Sequence, residues 1–125
     1  MARLKLAQIS EHQEQASLFQ WRDAMLRSMP ELRLLFAIPG QGVARLKNLQ
    51  IEGYQKGIPD MMLAVARGEY HGLFVELKRR KGGKVSPEQY TWIAALASEG
   101  YAATVCYGWD EARETIQRYL NGDEI

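Results

Sequence analysis

The hydrophobic and polar positions divide the chain into seven short elements. Leu18, Trp21 and Met25 recur at helical spacing, and Glu14 extends that stripe one turn toward the N-terminus. Ser10, with Gln13 three residues on, has the form of a capping box, and Pro30 closes the segment, predicting a helix from Ser10 to Met29. The run Leu32–Ile38 predicts a buried strand. A loop with Pro39, Gly40 and Gly42 follows, then a partly helical segment from Val43 to Gly53 and a sharp turn at Gly57-Ile58-Pro59. Asp60–Ala66 predicts a second strand that opens on an acid, and Arg67–His71 is short enough to make a hairpin to a third strand, Gly72–Arg79. In that strand Leu73, Val75 and Leu77 share one face, and Phe74, Glu76 and Lys78 the other.

After a basic, glycine-containing turn at Lys81–Val85, Ser86-Pro87-Glu88-Gln89 is a strong helix start. It has an N-cap serine, a first-turn proline and a capping-box glutamine. This helix runs to Gly100, a glycine suited to a helix C-terminus. Tyr101–Tyr107 predicts a fourth strand, and Asp110 caps a last amphipathic helix ending near Gly122. The order α-β-β-β-α-β-α predicts an α/β fold, a mixed sheet with flanking helices.

Composition narrows the function. The 125 residues are room for one domain. Sixteen Lys and Arg against fifteen Asp and Glu leave a net charge of +1. Any contact with nucleic acid must therefore come from a local patch rather than bulk charge. A single cysteine excludes an intramolecular disulfide framework and a multi-cysteine zinc site. No apolar run approaches a membrane span and no signal-peptide pattern follows Met1, so the expected setting is a reducing cytoplasm. His12 and His71 lack zinc-ligand spacing. Cys106 reads as core, and Trp21, Trp92 and Trp109 read as core or interface.

The candidate chemistry lies in Pro59-Asp60 and Glu76-Leu77-Lys78. Two carboxylates on neighbouring strands converge on one point. With water and phosphate oxygens they suit Mg²⁺, and the Leu77 carbonyl is a third candidate ligand. Lys78 shares a strand face with Glu76 and is placed to orient a water or neutralise a phosphate oxygen. Glu-x-Lys also occurs as an exposed strand ion pair, and Pro-Asp as an ordinary turn, so the combination carries more than either part.

These residues, in this order, resemble the VRR-NUC domains of the PD-(D/E)XK nuclease superfamily. The resemblance rests on Gly53, Gly57-Ile58-Pro59-Asp60, Phe74-Val75-Glu76-Leu77-Lys78 and Ser86-Pro87-Glu88-Gln89 with Trp92, and continues through Gly100-Tyr101. It spans nearly the whole chain and implies a single stand-alone domain, residues 1–125, with a restriction-endonuclease-like sheet. It further implies a structure-selective DNA endonuclease using Mg²⁺ or Mn²⁺. Asp60 and Glu76 match the acidic metal ligands and Lys78 the catalytic lysine. Family members carry a further glutamate on the first helix. Glu14 fits it best because it shares the inward stripe, with Glu11, one turn earlier, as the rival. Gln89 matches a glutamine at the start of the helix after the Glu-x-Lys strand, and capping alone also accounts for it.

One departure stands out. Similar sequences often have a Pro-Asn-Gly-like loop with a nearby arginine after the first strand. Here the loop is Pro39-Gly40-Gln41-Gly42, followed by Arg45. Lys78, Arg79, Arg80, Lys81 and Lys84 form a run without an acid. Beside a metal site the residues after Lys78 are expected to contact phosphates, with Arg45, Lys47 and Lys56 extending the patch. Likeness to Holliday-junction resolvases implies branched DNA as partner and a twofold homodimer, and a small nuclease of this kind suits a phage. The rival expectation is a non-catalytic DNA-binding module on the same fold.

Overall fold

The computed structural model of the chain describes residues 8–39 and 51–125. Helix α1 spans Glu11–Met25, strand β1 Leu35–Ala37, β2 Met61–Leu63 and β3 Leu73–Lys78. Helix α2 spans Pro87–Ser98, strand β4 Ala102–Tyr107 and helix α3 Trp109–Leu120. The sheet order is β1-β2-β3-β4. β1 with β2 and β2 with β3 run antiparallel, and β3 with β4 runs parallel, with α2 as the crossover that a parallel pair requires. The expected mixed sheet with flanking helices, in the expected order, is the fold observed.

Both capping boxes form. Ser10 accepts from the Gln13 amide and Ser86 from the Gln89 amide, and each glutamine side chain returns to its cap residue's own N–H. The hairpin between β2 and β3 closes at an isolated bridge between Arg67 and Tyr70, with Gly68 at φ 56° in the turn. Several boundaries differ from expectation: α1 ends at Met25 rather than Met29, and β2 at Leu63 rather than Ala66. Pro30–Leu34 is a 3₁₀ turn, so β1 begins only at Leu35. Proline fits the first turn of a helix, and the fully buried Leu32 enters the core from that turn. An apolar run of this length does not distinguish strand from buried turn. The last helix begins at Trp109 on a Gly108 N-cap, so Asp110 lies in its first turn and is not its cap.

All six residues of β3 are buried, because helices cover both faces. Leu73, Val75 and Leu77 join Leu18 of α1 and Ala112, Ile116 and Tyr119 of α3 in one core. On the other face Phe74 meets Tyr101 edge-to-face, and Glu76 meets Gln89 at the start of α2. β3 thus delivers Glu76 and Lys78 into a space between its own C-terminal end and the start of α2. Cys106 is buried in the core, its thiol pushed up to about 11 chiefly by burial, which leaves it unreactive. Among the described residues no helix is long and apolar enough to cross a membrane.

Candidate active site

A polar cavity of about 290 Å³ opens at the C-terminal end of β3, lined by Glu11, Asp60, Glu76, Lys78, Lys84 and Gln89 with Ser86. Another cavity, of about 250 Å³, lies by the hairpin turn at the other end of β3 and contains none of the expected residues. Asp60 sits just before β2, at the end of the Gly57-Ile58-Pro59 turn. Gly57 has φ 89°, and a Cβ there would lie 2.6 Å from Glu88 Cβ, so only glycine lets this turn press on the start of α2. The Trp92 indole N–H donates to the Lys56 carbonyl at 3.1 Å and pins the same loop from the helix side.

The Leu77 amide donates to Asp60 Oδ2 at 2.6 Å. In an extended strand a residue's N–H and C=O leave on the same edge, so the Leu77 carbonyl also faces the Asp60 side. Gln89 caps its helix and also reaches Glu76. Its Oε1 accepts from the Ser86 amide at 2.8 Å, and its Nε2 donates to Glu76 Oε1 at 2.7 Å. Lys78 Nζ lies 3.5 Å from Glu76 Oε1 and 3.9 Å from Glu11 Oε1.

The electrostatics of this cluster are unbalanced. Burial, then the charge of Asp60, push the Glu76 carboxyl up to about 8, against a partial offset from Lys78. Burial also raises Asp60, opposed by the Leu77 amide and reinforced by Glu11. Glu76 Oε2 is buried without a hydrogen-bond donor. Burial and the mutual repulsion of the two acids, beyond what Lys78 offsets, favour entry of a further cation. This donor set fits a hard divalent ion. Two carboxylates and a carbonyl, leaving room for water and phosphate oxygens, match the way Mg²⁺ is held. Among the described residues no three acidic, histidine or cysteine side chains form a closed metal cage, which Mg²⁺ does not require.

The inward stripe places Glu14 elsewhere than expected. Glu14 is fully buried, but at its level the interior holds Arg80 and the start of α3, not the cavity. Glu11, half-exposed and one turn earlier, is the helix-1 acid that lines the cavity. Arg80, expected to face phosphate, is ion-paired to Glu14 at 3.0 Å and to Asp110 at 2.8 Å. Arg79, Lys81 and Lys84 remain exposed, and Lys56 pairs at the surface with Glu88 at 3.5 Å. Arg45, Lys47, most of the Val43–Gly53 segment and all but Pro39 of the 39–42 loop lie outside the described residues. Sequence reasoning missed Asp110 as a partner. The acid in the first turn of the last helix was its only signal.

The sequence pattern of the VRR-NUC domain matches residues 2–110, which include the cavity and the whole sheet. The chain belongs to the VRR-NUC family. A solved structure described as a VRR_NUC domain protein is similar to it at TM-score 0.81 and 29% identity, over 97% of this chain and 94% of the other. No curated protein matches the sequence. Membership of this nuclease-related family agrees with the fold. Within this VRR-NUC domain the paired acids, the lysine and the glutamine all come from the β2–β3–α2 segment, so the matched region contains the full cluster.

Proposed function

We propose that the chain is a divalent-metal-dependent DNA endonuclease, selective for branched structures such as four-way junctions, and acting as a homodimer. The observation that carries this reading is that half-buried Asp60 and buried Glu76 and Lys78 line one polar cavity. Asp60, Glu76 and the Leu77 carbonyl would hold Mg²⁺ or Mn²⁺, with Glu11, rather than Glu14, as the outer acid. Such an ion supplies Lewis-acid stabilisation of phosphate charge and an acidified water.

The chain's own residues do the remainder. Gln89 holds Glu76 Oε1 and so fixes the carboxylate at the cavity. The Leu77 amide orients Asp60. Lys78, desolvated between Glu76 and Glu11, directs its ammonium at the attacking water or a non-bridging phosphate oxygen. Arg79, Lys81 and Lys84 flank the mouth and draw in the DNA backbone without reading bases. Cutting both arms of a junction needs two such cavities, which a twofold dimer supplies. A reducing cytoplasm, bacterial or phage-infected, suits a chain whose single cysteine is a buried thiol.

The test is cleavage of a labelled panel of junction, flap, duplex and single-stranded DNA with Mg²⁺, Mn²⁺ or chelator. Lys78→Ala and Asp60→Ala run beside the parent. Metal-dependent cutting that both substitutions abolish is the expected result. Binding of DNA by parent and variants alike, with no cutting in either metal, would replace the enzyme reading with that of a binding module.

A further inference from the structure

We infer that Arg80, Glu14 and Asp110 form a positioning bracket, which fixes α1 against the end of β3 and thereby sets Glu11 beside Lys78. This inference rests on the nuclease reading of the cavity. It removes Arg80 from the DNA-contacting surface and gives it a role inside the fold.

Three elements meet at one guanidinium. Glu14 is fully buried in α1, and its two oxygens are engaged differently. Oε2 faces Arg80 Nε at 3.0 Å. Oε1 accepts from Arg80 Nη2 at 3.4 Å and from the Trp109 backbone N–H at 3.2 Å. Trp109 opens α3, whose Gly108 N-cap has no side chain to offer the first amides. Glu14 therefore supplies from α1 the acceptor that α3 lacks, and its charge faces the positive end of that helix. The other side of the fork, Arg80 Nη1, lies 2.8 Å from Asp110 Oδ1 in the first turn of α3. Gly108 makes room for this. Its φ is 91°, and a Cβ there would lie 2.9 Å from Arg80 Cζ and 3.0 Å from Cγ. Lysine has one point of attachment and cannot span these contacts, whereas the arginine fork can.

The bracket reaches the cavity through covalent geometry. Arg80 is two residues beyond Lys78, at the end of β3. Glu14 is one turn beyond Glu11 on a rigid helix, about 4.5 Å along its axis. The contacts thus close a ring. It runs from Lys78 to Arg80 along the chain, across the ion pair to Glu14, back along α1 to Glu11, and across 3.9 Å to Lys78. Loosening the Arg80–Glu14 link frees α1 to shift, and Glu11 with it. An error of an ångström at the reacting centre is sufficient to slow the chemistry.

The experiment compares Arg80→Met, Arg80→Lys and Glu14→Gln with Arg79→Met. It measures steady-state cleavage, the salt dependence of DNA binding in Ca²⁺, and amide hydrogen exchange. The bracket predicts that Arg80→Met and Glu14→Gln lower kcat roughly 10- to 100-fold, with KM and salt slope held. Exchange should quicken in the first turns of α1 and at Trp109. Arg79→Met should instead raise KM and flatten the salt slope. Arg80→Lys keeps the charge but not the fork and should still lose kcat. If Arg80→Met does not fold, Arg80→Lys decides alone. A raised KM and flattened slope for the Arg80 variants, with kcat and exchange unchanged, would make Arg80 a phosphate contact and overturn the inference. If the parent cuts no DNA, the nuclease reading fails by itself. Exchange then decides the bracket: faster exchange in α1 and at Trp109 supports it, and unchanged exchange overturns it.

Discussion

Two acid–cation clusters lie side by side at the end of β3, and they differ in whether pairing or burial dominates their acids. In Glu14–Arg80–Asp110 each acid faces the arginine. Asp110 is held below its ordinary value, first by its hydrogen bond to Arg80, and the Arg80 guanidinium is held above its own. In Asp60–Glu76–Lys78, also two acids to one cation, burial and the charge of Asp60 outweigh Lys78, and Glu76 is pushed up to about 8. In the first cluster the pairing with arginine outweighs burial at Asp110. The second is costly as it stands and becomes less so when a cation enters. Perturbed carboxylates in a cleft mark a site of work, whereas matched pairs mark structure. The contrast lies in whether burial or pairing with the cation prevails, because the residue types and the two-to-one ratio of acids to cation are nearly the same.

The sharpest way to break the comparison is to neutralise one acid in each cluster. Asp60→Asn or Glu76→Gln should reduce single-turnover cleavage at least 10²- to 10³-fold while the metal-free protein melts at or above the parent temperature. A large loss of stability in those variants would place both acids in the structural class. Glu14→Ala leaves part-exposed Arg80 with Asp110 alone and the Trp109 amide without its acceptor, and should cost about 1–3 kcal/mol in urea unfolding.

The two clusters should also respond to pH in opposite directions. Glu76 has an ordinary value of 4.5 and a folded value near 8. Between those values the folded protein holds a proton that the unfolded chain has released, so metal-free stability should fall as pH rises from about 4.5 to 8. Asp60, also raised, adds to the same trend. Asp110 is lowered, so its contribution is present above its ordinary 3.8 and is lost as pH falls through its depressed folded value. Melts across pH 5 to 8.5 should slope downward in the parent and flatten in Glu76→Gln. Saturating Mg²⁺ should flatten them as well, because it binds the folded state. A parent profile without slope would mean that Glu76 titrates normally.

The smallest expected effect separates free from engaged cations. Lys84→Ala should reduce the salt slope of DNA binding by about one, the signature of a single phosphate contact. Equal changes at Lys84 and Arg80 would erase the distinction between mouth and bracket.

Much of this was legible along the chain. The capping boxes at Ser10 and Ser86, the hairpin at Gly68 and the alternation of β3 are local patterns, and each forms where spacing placed it. Glu-x-Lys on one strand face is likewise a consequence of a two-residue period. The 3₁₀ turn at Pro30 was not legible, because Leu32 reads as apolar in a strand or a turn alike. Glu14 was read correctly as inward-facing, but its neighbours there were not readable. Glu11 and Glu14 differ by one helical turn, and what faces each turn depends on α3, which arrives almost a hundred residues later.

The sequence by itself determined the elements, their order and the acids and lysine gathered at the end of β3, because these follow from backbone periodicity and short-range capping. Only the tertiary structure decided which charges remain available. Arg80 is engaged by Glu14 and Asp110, Gln89 joins a helix cap to Glu76, and Glu11 takes the cavity. A charge is free or engaged according to what lies within a few ångströms, and helix packing sets that distance.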